Sequence, residues 1–164
     1  MEPAGTTRTS REWSLQERPE QAGSGACRND PNKLTDMAPS KTVTPEQVRT
    51  AVLAVADWVH DASAEKPPRA AVADAVRTTA RTLAQVAPGS SVEVRVPPFV
   101  AVQCIVGPRH TRGTPPNVVE TDPRTWLEVA TGVRAFDDAL NDGSITASGS
   151  RASEVGHWLP ILRA

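Results

Sequence analysis

The apolar positions of this chain change period along its length, and each change marks a different kind of element. Val48, Val52, Val55 and Val59 recur at steps of four, three and four, which is one face of a helix. Ala51, Ala56 and Trp58 widen that stripe. Thr44 stands before Pro45, with Gln47 three positions after the threonine, the residues of a capping box with proline at the first helical position. The spacing predicts one helix over 45–63. A second stripe, Val72, Val76, Thr79/Ala80, Leu83 and Val86, opens after Pro67-Pro68 and stops at Pro88-Gly89.

The period then becomes two. In "VEVRV" Val92, Val94 and Val96 share one face and Glu93 and Arg95 the other, a half-buried strand. "FVAVQCIV" (99–106) is apolar on both sides except at Gln103, which predicts a central strand covered on both faces. "NVVET" (117–121) and "SITAS" (144–148) read as two further short strands. Asp122-Pro123 starts a helix bearing Trp126, Leu127 and Ala130, stopped by Gly132, and a shorter helix with Phe136, Ala139 and Leu140 follows. A last helix, capped by Gly149-Ser150 and ended by Pro160, carries Val155, Trp158 and Leu159. Helices and strands do not alternate strictly. The predicted class is therefore α+β, a single mainly antiparallel sheet of four to five strands with helices packed on it.

Residues 1–40 have no such period. Their only sizeable apolar side chains before Met37 are Met1, Trp13, Leu15 and Leu34, too few to offset the entropy of ordering them. The expectation is a disordered tail followed by one domain over 41–164. The character of the chain shifts at "MAPSKTVTPEQV", so Met37 is the expected true start.

Composition narrows the function. The chain has 164 residues and a formal net charge of −1, which gives no general basicity for nucleic acid. With four Trp, two Phe and no Tyr, the core must come from Val, Ala and Leu. No apolar run reaches the length of a membrane span. The first residues lack a basic segment followed by an apolar one, and Cys27 and Cys104 do not form a disulfide framework, so a cytoplasmic location is expected. His60, His110 and His157 have no metal-ligand spacing, and neither a phosphate-binding loop nor a nucleophile elbow is present; no cofactor or metal is expected. Cys104, in an apolar run, reads as a buried inert thiol.

The densest positive charge lies in "GPRHTRGTPPNVVETDP" (107–123), where Arg109, His110 and Arg112 stand between Gly107-Pro108 and Gly113, Pro115 and Pro116. Three roles suit it. The arginines can pair with Glu120, Asp122 or Asp137/Asp138 and tie the loop down. They can hold a carboxylate or phosphate together with the imidazole. Contact with nucleic acid, the third role, wants interleaved aromatics that this loop lacks.

The segment "DPRTWLEVATGVRAFDDALNDGSITASGS" resembles the C-terminal signature of the sterol carrier protein family, in which a Trp-bearing helix, a Gly, a short helix, a "DG" turn, a small-residue strand and a "GS" cap follow in order. The block "SVEVRVPPFVAVQCIVGPRHTRGTPPNVVETDP" is similar to the bacterial, actinobacterial orthologue group of that family, and the resemblance covers roughly residues 68–164. It implies a five-stranded, largely antiparallel sheet with helices on one face, enclosing an apolar tunnel for a sterol, fatty acid or acyl-CoA. The helix over 45–63 is then an extension to that plan. The implied function is a small binding protein for a hydrophobic or amphipathic molecule. Val100, Val102, Cys104, Trp126, Leu127, Phe136, Leu140 and Trp158 are its candidate lining, and Arg109, His110 and Arg112 its charged mouth. The alternatives are a catalytic or accessory domain acting on an anionic small molecule, with His110 as acid/base, and an interaction protein without a cavity.

Overall fold

A computed structural model describes residues 42–107 and 116–162. The expected tail and the Arg109, His110 and Arg112 cluster lie outside these residues. The element order is α1 (Pro45–Leu53), α2 (Ala56–His60), α3 (Arg69–Val86), β1 (Val92–Val96), β2 (Val100–Cys104), β3 (Val118–Thr121), α4 (Pro123–Thr131), α5 (Phe136–Asn141), β4 (Ile145–Ser148) and a 3-10 helix, Ala152–Trp158.

The capping box forms as its residues predict. Gln47 N–H donates to Thr44 Oγ1 at 3.3 Å and Thr44 N–H donates to Gln47 Oε1 at 2.9 Å, an arrangement worth about 1 kcal/mol. The predicted 45–63 helix is nevertheless broken in two. Val55 N–H bonds to the Val52 carbonyl, three residues back, before helical bonding resumes at Val59 to Val55. No glycine or proline marks the break, but Val48, Val52, Val55 and Val59 all remain buried. The stripe therefore records burial and not helix continuity.

The sheet has the order β2-β1-β3-β4. β1 pairs antiparallel with β2 and parallel with β3, and β3 pairs antiparallel with β4. The architecture is thus α+β with a mixed, mostly antiparallel sheet. Val92, Val94 and Val96 face inward at 1%, 0% and 0% exposure, joining Val76 and Leu83 of α3 and Trp126, Leu127 and Ala130 of α4 in one core. Each such valine contributes about 1.5–3 kcal/mol by leaving water.

β2 is an edge strand, which corrects the expectation of a central one. Ala101 and Gln103 are exposed, and Val100 and Val102 are half-buried. The apolar look of 99–106 has another cause. Cys104 and Ile105 turn into the core at the end of the strand, and Ile105 leaves the ladder so that its N–H bonds to the Ala87 carbonyl at 2.7 Å. The last helix is also corrected. It is 3-10, begins without a side-chain cap, and leaves Trp158 at 42% exposure. The chain turns back after it: the Ile161 and Leu162 N–H groups both bond to the Ala130 carbonyl, and Leu159 and Ile161 fill the place against the core expected for Trp158.

Candidate binding cleft

Trp126 is 1% exposed, and its indole N–H donates to Thr79 Oγ1 at 2.9 Å. Leu127 and Cys104 are fully buried, Phe136 nearly so, and Val100, Val102 and Leu140 pack against the same core. Burial pushes the Cys104 thiol up to about 11, so it is protonated and unreactive at neutral pH. These side chains meet one another as a packed interior. Phe136 also borders a cleft of about 580 Å³ whose other walls include Arg134, Asp137 and His157.

At one end of the sheet a polar network missed by sequence reasoning ties four separate segments. The Arg151 guanidinium makes two bonds to the Glu154 carboxylate, at 2.7 and 2.8 Å, one to Ser91 Oγ at 2.6 Å and one to the Val106 carbonyl at 3.0 Å. Arg151 N–H donates to Asn117 Oδ1, and Asn117 Nδ2–H donates to the Ser91 carbonyl. The side-chain hydrogen bond from Arg151 holds the Glu154 carboxyl below the usual carboxylate range. Val106 and Asn117 are thereby fixed at the Val92 end of β1.

The opposite end of β1 carries a different feature. Lys66 and Pro67 lead into α3, Arg69 and Val72 lie on α3, Pro97, Pro98 and Phe99 form the β1–β2 turn, and Asp122, Pro123 and Arg124 open α4. Together with Trp58 of α2 they line a cleft of about 590 Å³. Arg77 Nε–H donates to the Phe99 carbonyl at 3.1 Å and steadies the turn. Three cations stand over the aromatic rings: Lys66 Nζ and Arg124 Cζ at 5.9 and 5.4 Å from the Trp58 centroid, and Arg69 Cζ at 5.8 Å from that of Phe99. Such contacts place cationic heads where they also cover apolar surface. The result is an apolar floor with a cationic rim. The proline pairs were legible as element boundaries, but their convergence was not, because they lie about thirty residues apart.

No group of metal-ligating side chains occurs among the described residues. No helix among them is long and apolar enough to cross a membrane. An α+β domain with a mixed four-stranded sheet and an apolar, cation-rimmed cleft is the class of protein that this geometry defines. Residues 68–161 match the family described as bacterial SCP ortholog, and the chain belongs to that sterol-carrier-like family. No curated protein matches the chain.

Proposed function

We propose that this protein binds a lipid-like, amphipathic small molecule. Family membership supports a lipid ligand in general. The observation that carries the reading is the cleft at the Val96 end of β1, where Trp58, Val72, Phe99 and the rings of Pro67, Pro97, Pro98 and Pro123 offer apolar walls in a volume of about 590 Å³. That volume falls within the range of small-molecule sites, about 300–1,000 Å³.

The experiment is native mass spectrometry of the purified chain, combined with titration of two fluorescent probes, the uncharged N-phenyl-1-naphthylamine and the anionic 8-anilinonaphthalene-1-sulfonate. A co-purified lipid-like mass, or saturable one-site binding of either probe, is the expected result. A clean apo mass together with no saturable binding of either probe refutes the reading and leaves an interaction protein as the better description.

A further inference from the structure

The walls and charges of the cleft say more about the ligand than its volume does. We propose that it selects an organic anion with a compact, ring-built apolar body, whose carboxylate, sulfonate or phosphate is held by Lys66 and Arg69. The inference rests on the binding function proposed above and narrows it.

Charge is the first ground. Lys66, Arg69 and Arg124 line the cleft against one acid, Asp122. Asp122 is already engaged, since its Oδ1 accepts the N–H groups of Arg124 and Thr125 and its Oδ2 accepts the Thr125 hydroxyl. Arg124 is engaged too, by Glu128 at 2.9 Å. Lys66 and Arg69 have no ion pair among the described residues. An arriving acid group therefore meets two cations that no described carboxylate pairs, one a planar fork and the other a point charge. α3 begins at Arg69 without a side-chain cap, and the positive end of its 18-residue dipole adds to the same field.

Shape is the second ground. The walls are short and flat, built from four proline rings, an indole and a phenyl ring. Val72, which also lines the cleft, and Val96 are 1% and 0% exposed, so the interior at this end is already filled. An extended chain would have to displace packed core, at the cost that overpacking carries, whereas a ring system lies within the walls. Arg69 and Arg124 are held over the rings, which lowers the entropy lost on binding.

The two naphthalene probes share an aryl body and differ in the sulfonate. The expected result is at least ten-fold tighter binding of the sulfonate than of the neutral amine. The pair Lys66→Gln/Arg69→Gln should weaken the sulfonate about ten-fold or more, and more than Arg109→Gln/Arg112→Gln does, and leave the amine unchanged. Raised salt supplies a readout without mutation: 0.5 M NaCl should weaken the sulfonate and spare the amine. 2-Naphthoate should displace the bound sulfonate at least ten-fold more effectively than palmitate does. Equal affinity for the two probes, or loss of sulfonate binding in the Arg109/Arg112 variant alone, overturns the assignment of the acid group. Equal displacement by palmitate overturns the ring-built body. Saturable binding of the amine without preference for the sulfonate sinks this inference only, whereas no binding of either probe, with a clean apo mass, sinks the proposed function with it.

Discussion

Replacing Trp126 by Ala tests the central packing of the domain. The indole is 1% exposed, lies among the buried valines of β1 and the leucines of α3 and α4, and spends its one polar group on Thr79 Oγ1 at 2.9 Å. Truncation removes the buried ring and leaves a cavity in a close-packed core, a change that costs about 3–5 kcal/mol. Thr79 is less harmed by the loss. Its hydroxyl still donates to the Ala75 carbonyl at 2.8 Å, so only an acceptor lone pair is vacated. The lost hydrogen bond accordingly adds about 1 kcal/mol at most. The assay is urea unfolding followed by far-UV circular dichroism. With m between about 1 and 3 kcal/mol/M, the midpoint should fall by roughly 1–5 M at unchanged m. Trp126→Phe keeps most of the volume and should cost markedly less, and a double-mutant cycle with Thr79→Val should return a coupling of about 1 kcal/mol. A soluble Trp126→Ala variant whose midpoint moves by less than about 0.3 M would refute the packing described here, because so small a loss is what a surface position shows and not a buried indole.

Two further outcomes follow from single positions. Gly89 has φ +150°, and a Cβ there would stand 2.1 Å from the Ile105 carbonyl carbon and oxygen, so Gly89→Ala should destabilise by about 2 kcal/mol or more, read as a lower urea midpoint; a neutral result would show that the α3–β1 connection is not seated on Ile105. Cys104, with its thiol pushed up to about 11, should resist a disulfide-exchange reagent at pH 8 in a Cys27→Ser background and react only on unfolding; because burial raises the folded value above the ordinary 9.0, its contribution to stability is present below about pH 9 and is lost as pH climbs from 9 towards 11. Rapid labelling of the native chain would show an accessible thiolate instead.

What the sequence determines by itself is local and periodic. Thr44 with Gln47, Asp122 before Pro123, and Gly132 at φ 77° are end signals whose chemistry is complete within a few residues, and each terminates an element where the pattern predicts. The alternation of Val92, Val94 and Val96 likewise names its own buried face. Trp126, Leu127 and Cys104 were legible as interior from stripe and run. The tertiary structure decided the rest, because it depends on which distant segments meet. An apolar run such as 99–106 says that its side chains leave water, but not whether neighbouring strands or a turn into the core cover them, and β2 proved to be an edge. Trp158 reads as core by spacing, yet Leu159 and Ile161 take that place once the chain doubles back to the Ala130 carbonyl. The cleft is the clearest case. Trp58, Lys66, Arg69, Phe99 and Arg124 share no period and no motif, and they converge only because parallel pairing of β1 with β3 carries the start of α4 to the same end of the sheet as the β1–β2 turn and the start of α3. Hydrophobic burial is recorded residue by residue along a chain, whereas the juxtaposition of charges is a property of the pairing between its segments.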